Sequence, residues 1–277
     1  MAPMTDQEAR YDRIAEGYAT WWSPIHRPVT LQALDEVAPE VEAGATRLLD
    51  IGSGTGALAA AAVRRWPRVH VTGVDVSAGM LALADRERAA LPRAQRERID
   101  LVQAPADRLP FEVGTFDIAI TTFVLQLVPS AYRALREARR VLRADGTLAS
   151  ATWLEGGRIG ADDAYVDALE AAGMDPPEVG GDHGDPRTPE EAAARLRRAG
   201  FGSVTAHRTA VDHAFTTDAY LAFVTRFDDA DRWEELTPDE RARLEPDLRA
   251  RLDAIGPEGR RLWLPVAIAK GRRTRRP

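Results

Sequence analysis

The chain contains no cysteine in 277 residues, which excludes disulfides and thiolate metal sites. Lysine is almost absent: Lys270 stands alone among 37 basic residues. Charge of one sign is not in great excess. The formal net charge is −6, so broad nucleic-acid binding is not expected. No apolar run reaches membrane-spanning length, and Met1–Arg10 lacks the apolar core of a signal peptide. The expectation is a cytoplasmic protein without a membrane span. No internal repeat or low-complexity segment is present, and no His/Asp/Glu spacing suggests a metal site. The basic run from Arg272 to Arg276 reads as a frayed, solvated end.

What is present is a globular composition, 44% hydrophobic and 29% charged, long enough to bury a sizeable core. From residue 46 onward, short apolar runs alternate with helical patterns. Strands are predicted at Thr46–Ile51, Val69–Asp75, Ile99–Gln103, Phe116–Thr122 and Thr147–Trp153. Helices are predicted at Ala57–Trp66, Ala78–Leu91 and Ala131–Arg143. Such alternation means an α/β fold with a parallel sheet covered on both faces. Two further strands are predicted at Val204–Val211 and Leu262–Ala269, with helices Asp162–Ala172, Thr188–Ala199, Thr217–Phe227 and Pro238–Ile255 around them. Before the sheet, Asp6–Tyr18 places Tyr11, Ile14, Ala15 and Tyr18 on one helical face. Pro24 and Pro28 are expected to break the chain before a second helix, Val29–Val37.

The densest signal is Arg47-Leu48-Leu49-Asp50-Ile51-Gly52-Ser53-Gly54-Thr55-Gly56-Ala57-Leu58. A buried strand ends in an acid, a glycine-rich turn follows, and a helix begins. Gly52, Gly54 and Gly56 let backbone approach a ligand at a helix N-terminus. Asp75, which ends the second strand, can accept both hydroxyls of a ribose. These features alone also satisfy a loose NAD fingerprint. Asp50 argues otherwise, because a carboxylate at the loop entrance repels a pyrophosphate but suits a ligand carrying an ammonium and a sulfonium.

With Ala104-Pro105-Ala106-Asp107-Arg108-Leu109-Pro110-Phe111, Gly114-Thr115-Phe116-Asp117-Ile118-Ala119-Ile120 and Arg139-Arg140-Val141-Leu142-Arg143-Ala144-Asp145-Gly146 in order, the chain resembles the class I S-adenosylmethionine-dependent methyltransferases. The resemblance is to the small-molecule branch that includes the ubiquinone and menaquinone biosynthesis methyltransferases, and it spans roughly Tyr11 to Trp153. It implies a Rossmann-like, seven-stranded, mostly parallel sheet whose last strand is antiparallel. Residues 1–45 would form a helical cap and 46–277 the methyltransferase domain, with 155–200 and 216–258 as helical lid segments. It implies S-adenosyl-L-methionine as cofactor and S-adenosyl-L-homocysteine as product. Asp50, Gly52, Ser53 and Gly54 would then hold the methionine end and Asp75 the ribose. Val76 and Met80 would pack on adenine, and Ala106 and Asp107 would meet its edge. Thr121 would offer backbone to the amino group, while Tyr11 and Tyr18 close over the cofactor. Pro105 stands where the family usually carries an acid, and Gln126 where many relatives carry histidine.

Methyl transfer asks the protein for alignment, water exclusion and, for a hydroxyl nucleophile, a base. His26, between Pro24 and Pro28, and His213, after the sixth strand, are the candidate catalytic groups. Trp22, Gln126, Trp153, Tyr220 and Phe223 are the candidate acceptor contacts, and they suggest a small, apolar or aromatic acceptor. The methylated atom can be O, N or C, and a monomer and a homodimer both fit the sequence. Two other uses of the same fold are a non-methylating step such as cyclisation and a non-catalytic cofactor-binding partner.

Overall fold

The computed structural model describes residues 6–177 and 185–274. The chain opens with α1 (Asp6–Gly17), a π-helical turn (Tyr18–Trp22), α2 (Ser23–Asp35) and α3 (Ala38–Glu42). Next come β1 (Arg47–Ile51), α4 (Ala57–Arg65), β2 (His70–Asp75), α5 (Ala78–Ala89), α6 (Arg93–Arg96) and β3 (Ile99–Gln103). The third segment holds β4 (Phe116–Thr122), α7 (Ala131–Val141), β5 (Leu142–Trp153), a two-residue β6 (Arg158–Ile159), α8 (Gly160–Ala171) and α9 (Pro189–Arg198). The last comprises β7 (Gly202–Ala214), α10 (Thr217–Phe223), a second π-helical turn (Val224–Asp228), α11 (Ala230–Glu235), α12 (Pro238–Gly259) and β8 (Arg261–Arg272).

The sheet runs β3-β2-β1-β4-β5-β8, with β7 on the far side of β8. β1 to β5 are mutually parallel, and β8 is antiparallel to both β5 and β7. The expected mostly parallel sheet is therefore present. The short β6 adds to it by extending the β5 side of β8 past Trp153. β4 is buried at every position but its last, as a central strand covered on both faces must be. One core cluster unites α2, α4, α8 and α10–α12 with one face of the sheet. The other packs α7 and α9 on the opposite face.

Several local expectations change. A helix starts at Ser23 and runs through both prolines: Pro24 is its second residue, in the first turn where proline is tolerated, and Pro28 lies inside it. Ser23 N donates to Tyr18 O, so a π-turn carries α1 into α2 without a break. His26 consequently lies on a buried helix face and not in a loop. Thr188 caps α9, its side chain accepting from Glu191 N, while Glu191 Oε2 accepts from Arg187 N at 2.9 Å. Within the proposed lid segment 155–200, α9 covers the sheet, with Ala192 and Leu196 in its core. α2 likewise belongs to the main core more than to a separable cap. The start of the C-terminal basic run is pinned: Arg273 N donates to Gly146 O at 2.8 Å, and Arg273 Nη1 to Arg140 O at 2.9 Å. Arg275 and Arg276 lie outside the described residues, as does His183.

Asp117 ties the start of β4 to β1. Its Oδ2 accepts from Thr46 N and Arg47 N, both at 2.9 Å, and its Oδ1 from Arg143 Nε at 2.7 Å. These donors hold its carboxyl below the usual range despite partial burial. Asp117→Ala leaves two strand amides without acceptors and should cost about 2 kcal/mol, measured as a lowered urea midpoint at pH 7.

Candidate functional site

The parallel strands end together at one edge, and the glycine turn follows the central strand. Gly52 N and Ser53 N both donate to Val74 O, at 2.7 and 2.9 Å, which folds the turn back onto β2. Gly52 has φ +71°, and a Cβ there would stand 2.1 Å from Val124 Cγ2, so no side chain fits. Gly54 has φ +50° and donates its N–H to Asp75 Oδ2 at 2.9 Å. Asp75 Oδ1 accepts from Ser77 N at 3.0 Å.

Asp50 is 1% exposed, and its Oδ2 has no hydrogen-bond partner among the described residues. Burial, helped by the charge of Asp75, pushes its carboxyl up to about 7. Burial also raises Asp75, against the pull of its backbone donors. Ser53 Oγ, Thr121 Oγ1 and Gln126 Oε1 are buried without partners as well. Four orphaned polar atoms at one sheet edge are what a polar ligand would satisfy. The unpartnered carboxylate fits an ammonium, and the turn and Asp75 fit the rest of S-adenosylmethionine. Residues that could hold the adenine are placed beside them. Met80 is buried against Ala15 and Leu83, with Tyr11 and Tyr18 packed on it. Val76 and Ala106 are partly buried, and Asp107 pairs with Arg133 at 3.8 Å.

A second constellation is aromatic. Trp153 stacks on Phe123 at 4.1 Å between centroids, and Trp22 lies 6.4 Å from Trp153 and 5.9 Å from Phe223. Phe123 has φ +60°, an uncommon backbone state for an aromatic residue. Gln126 Nε2 donates to its carbonyl at 2.8 Å. His26 joins this group, 5.1 Å from Phe123, and its Nε2 meets Tyr18 Oη at 2.8 Å. Desolvation lowers His26 to about 4, and the Tyr18 phenol is pushed up by the same burial. Near neutrality the imidazole is uncharged, and Tyr18 can donate to it.

Two expected contacts stand apart. Tyr220 is buried at 1% exposure and donates to Asp162 Oδ1 at 2.7 Å, so its hydroxyl is engaged inside the helical layer. His213 packs edge-on to Phe215 at 4.5 Å and reaches the aromatic group only through that ring and Phe223. Sequence reasoning missed Phe123 and Val124. Phe123 and Val124 follow β4 in an apolar run that reads only as core. A groove of about 790 Å³ along α7, near Tyr132 and Arg136, includes no residue of the turn.

Comparison with known proteins agrees with this geometry. Residues 49–150 match a family model described as a methyltransferase domain. The chain is 31% identical over 236 residues to a demethylmenaquinone methyltransferase of Roseiflexus castenholzii, covering 73% of this chain and 90% of that protein. It is 39% identical over 159 residues to a malonyl-[acyl-carrier protein] O-methyltransferase of Geobacter sulfurreducens, covering 57% of this chain and 56% of that one. A ubiquinone/menaquinone biosynthesis C-methyltransferase UbiE of Syntrophotalea carbinolica is 38% identical over 152 residues, or 53% and 60% of the two chains. The chain thus spans little more than half the length of these last two relatives. The fold matches a Haemonchus contortus phosphoethanolamine N-methyltransferase 2 with TM-score 0.57 and 17% identity, over 99% of this chain and 61% of that one.

The fold and the glycine turn with its two acids at the strand ends define a Rossmann-like nucleoside-cofactor protein. The chain belongs to the class I S-adenosylmethionine-dependent methyltransferases, similar to the UbiE group, and S-adenosylmethionine is its cofactor. Among the described residues no helix is long and apolar enough to cross a membrane.

His26 gives a testable sign. Its folded value, about 4, lies below the ordinary 6.5 of a histidine, so the unfolded chain takes up the proton first as pH falls. Stability is therefore lost between pH 6.5 and about 4 and is level above that window. Urea titration should show wild type losing about 2 kcal/mol more than His26→Gln between pH 7.5 and pH 5.

Proposed function

We propose that this protein transfers a methyl group from S-adenosylmethionine to a flat, apolar small molecule of the quinol kind. The observation that carries the reading is the buried, unpartnered Asp50 carboxylate beside Asp75 at the glycine turn. When bound, the cofactor supplies an electrophilic methyl on sulfur. The chain supplies position and dryness. Asp50 takes the ammonium, the Gly52–Gly54 backbone lines the methionine end, and Asp75 exchanges its loop donors for ribose hydroxyls. Val76 and Met80 flank the adenine, with Ala106 and Asp107 at its edge, and Thr121 offers backbone to the amino group.

The acceptor lies among Trp22, Phe123, Trp153 and Phe223, whose rings stack on a planar molecule and exclude water. Gln126 Oε1, which lacks a partner, accepts from an O–H or N–H of the acceptor. His26 acts as an uncharged hydrogen-bond acceptor that orients Tyr18 and the reacting group. Its low proton affinity makes it a weak proton store, so the proton lost on methylation leaves to solvent. A quinol ring carbon is supported by the activities of the Roseiflexus and Syntrophotalea relatives; there the C–S bond breaks as the C–C bond forms, and the ring C–H proton is the one released. His213 and Tyr220 support the wall of this pocket from outside.

Calorimetric titration with S-adenosylhomocysteine tests the cofactor half. Asp75→Ala should bind about 10- to 100-fold more weakly, and an unchanged affinity contradicts the ribose role. Mass spectrometry for S-adenosylhomocysteine after incubation with a hydroquinone tests the acceptor half. Trp153→Ala should raise the acceptor KM about tenfold or more while leaving cofactor affinity within about twofold.

A further inference from the structure

We propose that Asp12 is a positioning residue that latches α1 across the cofactor turn. The inference rests on the cofactor reading above. Asp12 Oδ1 accepts from Gly79 N at 2.9 Å and from Ser77 Oγ at 2.5 Å, so one carboxylate on α1 takes two donors from the start of α5. Position 79 confirms how tightly the two helices meet. A Cβ at Gly79 would stand 3.2 Å from both Cα and the carbonyl oxygen of Asp12. The other end of α1 is clamped in the same manner, since a Cβ at Gly17 would stand 2.7 Å from Phe227 Cδ2. Tyr11 and Tyr18 flank these two close approaches, and burial, with the charge of nearby Asp75 adding to it, raises both phenols. Whatever Asp75 grips therefore lies beneath α1.

Ser77 connects the latch to the cofactor acid. Its N–H donates to Asp75 Oδ1, its hydroxyl donates to Asp12, and its Oγ accepts from Met80 N at 3.0 Å. Asp12 also stands close enough to Asp75 to disfavour its charge. A second carboxylate beside Asp75 opposes docking. The two donors and the positive end of α5 hold it there. The latch is thus strong enough to seat Tyr11 and Tyr18 and local enough to release. The exposed Glu16–Arg86 pair adds little by comparison. Consequently α1 should govern how fast cofactor product leaves.

The test is S-adenosylhomocysteine dissociation, followed by stopped-flow tryptophan fluorescence, with hydrogen exchange of residues 8–22 as a second readout. Asp12→Ala should speed dissociation about tenfold or more and raise exchange in that segment, leaving the α5 amides protected. Asp12→Asn keeps an acceptor oxygen and should stay within about threefold of wild type. Gly79→Ala, a substitution that favours the helix it sits in, should intrude on Asp12 and also speed release. Wild type that binds no S-adenosylhomocysteine overturns the cofactor reading and the latch with it. Wild type that binds, with Asp12→Ala and Gly79→Ala releasing at its rate, overturns the latch alone.

Discussion

Two carboxylates, Asp50 and Asp75, stand at the C-terminal edge of the sheet with fewer donors than they can use. Asp75 holds backbone amides of the turn and of the α5 start, while Asp50 Oδ2 has nothing. Asp50 cannot move to water. It pairs in register with Gly73 on one side and Ile120 on the other, fixed in the middle of the sheet. An isolated buried carboxylate costs several kcal/mol unless it binds a proton or a cation. The fold retains one here, and the glycines beside it keep side chains out of the approach. A cationic ligand offsets that cost, and the cofactor's amino-acid tail is such a ligand.

The rest of the site follows from how helices are carried over this edge. Two π-turns, Tyr18–Trp22 and Val224–Asp228, place aromatic residues. One delivers Trp22 toward Trp153, and the other follows Phe223 and presents Phe227 to Gly17. The extra residue in each turn rotates the helix that follows, which turns His26 inward to Tyr18 and Phe123. The side proposed for the acceptor is therefore apolar and aromatic, with few groups able to take a proton, whereas the side of Asp50 and Asp75 is acidic. That division matches alignment and desolvation as the work of the protein.

The parts readable from sequence are those with local causes. Apolar runs bounded by glycine and proline gave the five parallel strands. The spacing of Asp50, Gly52, Gly54 and Asp75 gave the turn, because a strand end and a helix start leave short-range marks. Pro24 and Pro28 misled: Pro24 stands in a helix's first turn, where proline is tolerated, Pro28 lies inside the helix all the same, and a π-turn upstream carries no sequence mark. Tyr220 lay on the predicted apolar stripe, but whether its hydroxyl faces a pocket or Asp162 depends on α8, which is distant in sequence. Arg273 looked solvated because the carbonyls it binds, at Arg140 and Leu142, come from another segment. Asp12 carried no signal of its own, because its partners Ser77 and Gly79 are defined only when α1 meets α5.

The claim that Asp50 receives a cation is tested most directly by counting protons. Its carboxyl is raised to about 7, so at pH 6 it carries a proton that an arriving ammonium must expel. Titration with S-adenosylhomocysteine at pH 6, in two buffers of different ionisation enthalpy, should report about one proton released per site, falling toward zero by pH 8.5. Asp50→Asn should abolish the release. Tight binding at pH 6 with no proton released would contradict the account.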